Sequence, residues 1–231
     1  FSGGFPGDFI AQTLEDSNIQ SDFVQVDEDT RINVKLKSGQ ETEINAPGPK
    51  VTHAQFEQLL SQIRRTTNDD IVIVAGSVPN SIPSDAYAQI AQITEKTGAQ
   101  LVVDAEKDLV ETVLPYRPLF IKPNKDELEV MFNTTVKSDE DVIKYGKEIL
   151  KKGAQSVIIS LGGDGAIYVD QHQSIKAVNP QGHVVNTVGS GDSTVAGMVA
   201  GLSMGLNVDE AFQQAVASGT ATAFSEDLAT R

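Results

Sequence analysis

Runs of β-branched residues, repeated between helical segments, constrain the fold of this chain more than any other feature. The clearest runs are at residues 71–75, 101–104 and 156–160. A strand that is apolar on both faces is typical of a parallel sheet covered by helices on both sides. Apolar residues recur at helical spacing in the segments 52–65, 84–97, 125–132 and 138–151. The sequence therefore predicts an α/β fold with a mostly parallel central sheet and helices on both faces.

A different pattern near the N-terminus interrupts this rhythm. Apolar and polar residues alternate over 23–26, 30–36 and 41–44, with a turn signal at Ser38-Gly39. This pattern predicts three short antiparallel strands with one solvated face. We expect them to form a small β lid, inserted at about 23–46 into a single domain that spans residues 1–231. The other expected elements are helices at 8–16, 191–204 and 208–224, a strand at 119–121, and antiparallel strands at 166–169 and 174–178.

Charge and composition exclude several classes of function. The chain has 231 residues, a formal net charge of −14 and no cysteine. Proteins that bind nucleic acid or anionic membranes need basic surfaces, so neither partner is expected. The absence of cysteine excludes disulfides and thiolate metal sites and favours a cytoplasmic protein. No apolar run approaches the roughly 18 residues of a membrane span.

The segment Gly189-Ser190-Gly191-Asp192 predicts the reacting centre. Two glycines flank a serine, and a run of small and apolar residues follows at once, which indicates a tight turn that begins a helix. The free N–H groups at a helix N-terminus bind anions. Asp192 would repel such an anion unless it served as a general base, although it could also simply cap the helix. An anion site beside a base suggests phosphoryl transfer to an alcohol.

Two further segments follow strands and so are expected at the same edge of the sheet. Ser160-Leu161-Gly162-Gly163-Asp164-Gly165 forms a second glycine turn that could carry nucleotide phosphates, or could be only a hairpin turn. Asn124 and Glu127 are spaced as a helix capping box, and both could also order water molecules around Mg²⁺.

Basic residues on the expected lid suggest a substrate with a phosphate group. Arg31 and Lys35 are four residues apart, so on one strand they would face the same side. A solvated face is the simpler interpretation, and a clamp on a phosphate is the functional one. His53, His172 and His183 show no metal-ligand spacing and are assigned no role. The sequence also lacks the Gly-x-Ser-x-Gly elbow of serine hydrolases.

Together these motifs resemble the ribokinase-like carbohydrate kinases, and within them the phosphofructokinase B branch. The segment 188–197 is similar to the C-terminal signature of that family, Asn124-x-x-Glu127 to its magnesium motif, and 160–165 to its nucleotide-binding turn. The similarity covers nearly the whole chain. It implies a ribokinase-like fold, ATP and Mg²⁺ as cofactors, and transfer of a phosphoryl group to a hydroxyl of a sugar phosphate.

The resemblance also implies roles for individual residues. Asp192 would be the base, the backbone of Gly189, Ser190 and Gly191 the anion hole, and Asn124 and Glu127 would organise magnesium and the nucleotide. The nucleotide would also contact Ser160, Gly162, Gly163 and Gly165. Arg31, with Lys35, would face the substrate phosphate, and the lid could mediate a homodimer.

The resemblance favours fructose 1-phosphate as the substrate, with tagatose 6-phosphate as the close alternative. A nucleoside kinase and a non-catalytic nucleotide-binding protein of the same fold remain alternatives. Family members carry one or two further strand–helix units before this point, with an early aspartate and a Gly-Gly-Lys-Gly segment that bind the sugar. Neither segment occurs here. We therefore expect that the sequence lacks its N-terminal part and that the intact protein is active.

Overall fold

A computed structural model describes residues 1–38 and 40–230. The strands are β1 (Val34–Ser38), β2 (Gln40–Ile44), β3 (Ile71–Ala75), β4 (Gln100–Asp104), β5 (Phe120–Ile121), β6 (Ser156–Ser160), β7 (Ala166–Asp170) and β8 (Ser174–Ala177). The α-helices are α1 (Gly4–Asp16), α2 (His53–Ile63), α3 (Ala86–Thr97), α4 (Lys107–Val113), α5 (Lys125–Phe132), α6 (Asp139–Lys152), α7 (Ser190–Ser203) and α8 (Val208–Ala223).

The central sheet has six strands in the order β3-β4-β5-β6-β7-β8, which is also their order along the chain. The first four are parallel, and β7 and β8 are antiparallel to their neighbours. The predicted α/β fold and the antiparallel late strands are both confirmed. Helices connect the parallel strands because a parallel neighbour can be reached only by a crossover.

Successive residues of the central strands face two separate cores, as a pleated strand requires. Val103 and Ile121 pack in one core, which includes residues of α2, α3 and α6. Val102, Phe120 and Ile158 pack in the other, which includes residues of α7 and α8. Burial of both faces explains why these strands read as continuous apolar runs.

Glycines bring α7 and α8 close together. A Cβ atom built at Gly197 would lie 2.8 Å from Ala215 Cα, and one at Gly201 would lie 2.9 Å from Ala211 Cα. The small residues at 196, 197, 200 and 201 predict that the helix packs closely against a neighbour, and this holds for Gly197 and Gly201 only. Ala196 and Ala200 are exposed, because the 3.6-residue period of the helix turns them away from α8.

The three-stranded lid predicted from the alternating pattern is also wrong in part. In the described part of the lid, β1 and β2 form the one antiparallel pair, with Val34 opposite Ile44. Residues 30–33 precede β1 and are not in a strand. The segment 23–26 instead meets Ser2, whose N–H donates to Val24 O at 3.0 Å and whose carbonyl accepts from Val26 N–H at 2.9 Å. The predicted turn at Ser38-Gly39 includes Gly39, which lies outside the described residues, as does Arg231.

Helix boundaries follow local chemistry. Thr52 caps α2 in a capping box with Gln55, as its sequence position predicts. The first helix begins at Gly4 rather than at residue 8, because Pro6 is tolerated in a first turn, where N–H groups need no intrahelical partner. Within the described residues, no helix has the length and apolar character needed to cross a membrane.

Candidate active site

Polar residues follow the carboxyl ends of four neighbouring parallel strands. Gly76 and Ser77 follow β3, Asp104 ends β4, Lys122 and Asn124 follow β5, and Ser160 ends β6. Carboxyl ends of parallel strands meet at one edge of a sheet, which is where α/β proteins bind ligands. Gly76 N–H donates to Asp104 O at 3.0 Å, and Ser160 N–H donates to Pro123 O at 3.1 Å. The strand ends are therefore tied directly to one another.

A cavity of about 530 Å³ lies beside this edge, and we call it the glycine cavity. Most of the predicted nucleotide and anion-site residues line it: Asn124, Ser160, Gly162, Gly163, Gly165, Ser190 and Gly191. The two glycine turns, 24 or more residues apart in the chain, thus face the same space. Gly189, Glu127 and Asp192 adjoin lining residues but do not line the cavity themselves.

Hydrogen bonds from the loop after β8 hold the turn that follows β6. Residues Gly162–Asp164 form a single 3₁₀ turn before β7, so the segment is a hairpin connection, as one of its two interpretations proposed. Asn179 Nδ2 donates to Gly162 O at 2.8 Å and to Gly163 O at 3.3 Å. Asn179 Oδ1 accepts from Thr220 Oγ1 at 3.2 Å. The turn is therefore linked through one amide side chain to α8.

The first turn of α7 has the features of an anion site. Gly189 precedes the helix with φ +79°, a conformation that favours glycine. Ser190 N–H donates to Thr187 O, whereas among the described residues the N–H groups of Gly191 and Asp192 have no hydrogen-bond partner. Two amides are thus available to an anion at the positive end of the helix.

Asp192 lies in this first turn and is exposed. The alternative that it caps the helix is wrong, because the N-cap residue is Gly189. Ser190 Oγ donates to Gly219 O at 2.8 Å, and the hydroxyls of Ser193 and Thr222 are 2.8 Å apart. These contacts fix the turn against α8, so the carboxylate projects from a rigid support.

A buried ion pair lies beneath the turn. Lys122 Nζ is 3.2 Å from Asp104 Oδ2, and their side chains are 8% and 18% exposed. Burial raises the pKa of Asp104; Lys122 opposes that rise, and the negative charge of Asp192 adds to it. The electrostatic interaction of the two carboxylates means that Asp104, Lys122 and Asp192 belong to one charged group at the end of the sheet.

Asn124 and Glu127 form the predicted capping box at the start of α5. Glu127 N–H donates to Asn124 Oδ1, and Asn124 N–H donates to Glu127 Oε2, both at 2.8 Å. The second carboxylate oxygen of Glu127 is not used by the box. Hard oxygen donors on a partly exposed edge suit Mg²⁺ held through water molecules. Within the described part of the chain, His, Asp and Glu residues form no cluster of three that could hold a metal directly.

A second cavity, of about 590 Å³, contains one of the two predicted clamp residues. Arg31 lines it together with Lys50, Ser77 and Asn80. Lys35 is half-buried on β1 and is not among the lining residues. The expectation that one strand carries both basic residues is wrong, because β1 begins at Val34.

Sequence reasoning assigned no role to three residues of this region: Asp104, Lys122 and Asn179. Each had a weak signal. Asp104 ends an otherwise apolar strand, Lys122 follows a buried strand directly, and Asn179 precedes a proline in the loop after β8. None of these signals reveals a partner, since the pairing of Asp104 with Lys122 depends on two strands adjacent in space.

Two curated relatives that are similar over almost the whole chain are sugar-phosphate kinases by name. A protein of Bacillus subtilis strain 168 named 1-phosphofructokinase is 44% identical over 230 residues, which is 100% of this chain and 76% of the relative. A protein of Bacillus licheniformis named D-tagatose-1-phosphate kinase is 37% identical over 229 residues, or 99% of this chain and 75% of the relative.

Solved structures share the fold. A Staphylococcus aureus protein, provisionally described as a phosphofructokinase, is 78% identical to this chain, and the two structures superpose with a TM-score of 0.91. The match covers 100% of this chain and 75% of that one. A ribokinase from Thermotoga maritima is 18% identical with a TM-score of 0.74, covering 98% and 74%, which shows the fold alone. The model of the pfkB family carbohydrate kinases matches residues 1–230, and this chain belongs to that family.

Proposed function

We propose that this protein is an ATP-dependent 1-phosphofructokinase, which converts fructose 1-phosphate to fructose 1,6-bisphosphate. The observation that carries the proposal is the first turn of α7, where two unpartnered amides and the carboxylate of Asp192 adjoin the glycine cavity. An anion site and a base in adjacent positions are what phosphoryl transfer to a hydroxyl requires. A protein that only bound nucleotide would gain nothing from a carboxylate there.

In the proposed reaction, Asp192 removes the proton from the sugar hydroxyl as that oxygen attacks the γ-phosphorus of ATP. A new P–O bond forms to the sugar, the bond to the β–γ bridging oxygen breaks, and ADP leaves. The amides of Gly191 and Asp192 stabilise the negative charge on the transferred group, and they do so without reorganisation because Ser190 and Ser193 fix the turn.

The glycine cavity is the proposed nucleotide site. Ser160 and the backbone of Gly162, Gly163 and Gly165 would contact the nucleotide, with Asn179 holding the turn in place. Bound Mg²⁺ neutralises nucleotide phosphates, and Asn124 and Glu127 would hold it through water. Arg31 would bind the sugar phosphate in the second cavity, and we retain Lys35 as a further contact from the lid.

The substrate assignment rests on the relative named 1-phosphofructokinase, at 44% identity. The relative named D-tagatose-1-phosphate kinase favours a second candidate, a tagatose phosphate. An ADP-release assay of the intact protein with MgATP separates them, using fructose 1-phosphate, fructose 6-phosphate, tagatose 1-phosphate, tagatose 6-phosphate and fructose. We expect the highest kcat/KM with fructose 1-phosphate. Turnover with none of the five would refute the proposal.

Replacing Arg31 with alanine tests the phosphate clamp. Because a hydrogen bond to a charged group contributes about 1.5–3 kcal/mol, we expect the KM for the sugar phosphate to rise about 10–100-fold. The KM for ATP should stay nearly constant. Arg64→Ala is the matched control, since Arg64 pairs with Glu57 on the surface at 3.4 Å. Equal increases in both KM values would mean that Arg31 is structural.

We also propose that residues of about 23–46 act as a lid on a single domain and that the lid mediates a homodimer. Val34 and Ile44 are paired across β1 and β2 and are 47% and 59% exposed. A second copy of the hairpin could cover this apolar pair. Val34→Asp should lower the mass measured by sedimentation equilibrium, whereas Ile19→Asp, at another exposed apolar position, should not. An unchanged dimer in Val34→Asp would refute this interface.

A further inference from the structure

The buried pair of Lys122 and Asp104 is not explained by stability. Removing two charges from water costs several kcal/mol for each ion, and apolar residues of similar volume often replace such pairs without loss. The pair lies at the end of the sheet that carries the glycine turns, and not in either apolar core. An ion pair that costs desolvation free energy, and that lies at the edge of the sheet where ligands bind, suggests a role in the reaction.

The position of the lysine head group indicates that role. A Cβ atom built at Gly191 would lie 3.1 Å from Lys122 Nζ and 3.6 Å from Lys122 Cε. The ammonium group therefore reaches from the end of β5 to the first turn of α7, where the amides of Gly191 and Asp192 are unpartnered. Glycine at 191 leaves room for the ammonium on this side, where a larger side chain would press on it.

One anion could contact both the amides and the ammonium. Lysine has three N–H donors, and Asp104 accepts from one direction only. In a site shielded from water, a fixed cation strengthens the stabilisation of a group that gains negative charge. Lys125, which lines the glycine cavity, is by contrast exposed, so water would screen its charge more strongly.

We propose that Lys122 is a catalytic residue that contacts the phosphoryl group during transfer, and that Asp104 is the positioning residue that holds its ammonium in place. This inference rests on the proposed kinase function. The bonds that form and break are those of the reaction proposed above. The lysine forms no covalent bond and keeps its proton, and it lowers the barrier by balancing negative charge on the phosphoryl oxygens.

The test uses Lys122→Met in the intact protein, a change that keeps most of the side-chain volume and removes the charge. We expect kcat to fall about 10²–10³-fold, the range for loss of one preorganised donor, with the KM for the sugar phosphate nearly unchanged. Lys176→Met is the matched control, because Lys176 pairs with Asp139 at 2.7 Å on the surface. Its kcat should equal that of the wild type.

A double variant separates catalysis from folding. Lys122→Met alone leaves Asp104 buried without a partner, which could destabilise the protein. Asp104→Asn together with Lys122→Met removes both charges, so the Tm should return towards the wild-type value while kcat stays low. Recovery of wild-type kcat in the double variant would show that the pair is structural and would overturn the inference.

Nucleotide binding gives a readout without turnover. Lys122→Met should weaken ATP binding about 10-fold, by loss of one charge-assisted contact to the terminal phosphate, and should leave ADP binding within about 2-fold. Equal effects on ATP and ADP would overturn the inference, even in a protein that phosphorylates none of the tested sugars. If the wild type phosphorylates a sugar and Lys122→Met does so equally well, only the inference on Lys122 fails.

Discussion

Replacing Asp192 with asparagine is expected to lower kcat by about 10²–10⁴-fold, the usual loss when a general base is removed. Asparagine has nearly the same shape and keeps the amides of the first turn of α7 in place, so ATP should bind with almost unchanged affinity. The measurements are ADP release with the best sugar phosphate and calorimetric titration with ATP. Binding without turnover would identify the carboxylate, and not the anion site, as the missing element.

The control for Asp192 must account for its place in a helix. An acidic residue in a first turn stabilises the helix through its dipole by about 0.3–1 kcal/mol. Asp209 occupies the first turn of α8 and lies outside both cavities. Asp209→Asn should therefore reproduce any loss of stability without the loss of kcat. If Asp192→Asn retained wild-type turnover, the base would have to be another group.

Replacing Gly197 with leucine is expected to destabilise the protein by about 3 kcal/mol or more, because there is no space for a side chain between α7 and α8. Even a first carbon would lie 2.7 Å from Ser218 Oγ and 2.8 Å from Ala215 Cα. The second contact is with backbone, so relief requires the helices to separate. At about 2–4 °C per kcal/mol for a chain of this size, the Tm should fall by roughly 6–12 °C.

Ala200→Leu is the matched control for this packing, because it places the same side chain on the same helix at an exposed position. Its effect on the free energy of unfolding should stay within about 0.5 kcal/mol. Gly197→Ala should give an intermediate loss, since a gain of about 1 kcal/mol in helix propensity opposes the clash. A Tm of Gly197→Leu equal to that of the control would contradict the packing.

The parts of the fold that could be predicted are those in which burial leaves a direct mark on the sequence. Residues 156–160 are apolar on both faces because two layers of helices cover them. Residues 71–75 are equally apolar and form the expected strand, but this strand lies at the edge of the sheet and its Ile73 is 45% exposed. The turn at 160–165 could be located because it follows such an apolar strand, and the turn at 189–192 because its glycines directly precede a run of small and apolar residues. Asn124 and Glu127 could be placed because a capping box depends on residues only three apart.

The wrong and missing predictions share a physical cause. Alternation of apolar and polar residues indicates which residues are buried, but not which segments or side chains pair with each other. Val24 and Val26 are buried and Gln25 is exposed. The segment therefore alternates like a hairpin strand, although its backbone pairs with Ser2 and not with a strand of the lid. The pair of Asp104 and Lys122 could not be predicted for a related reason. Its formation depends on the register of β4 and β5, and no local pattern specifies that register.

The placement of α7 and α8 has a consequence for how this protein reaches its active form. The parallel strands can be added one after another as the chain is synthesised, since each neighbour in the sheet is also the next in sequence. The face that carries Phe120 and Ile158, however, is covered by residues from the last two helices. Until those helices dock, the growing chain exposes an apolar sheet that is prone to aggregate. The same docking step fixes the first turn of α7 against α8, so the proposed anion site is completed only when this face of the sheet is covered.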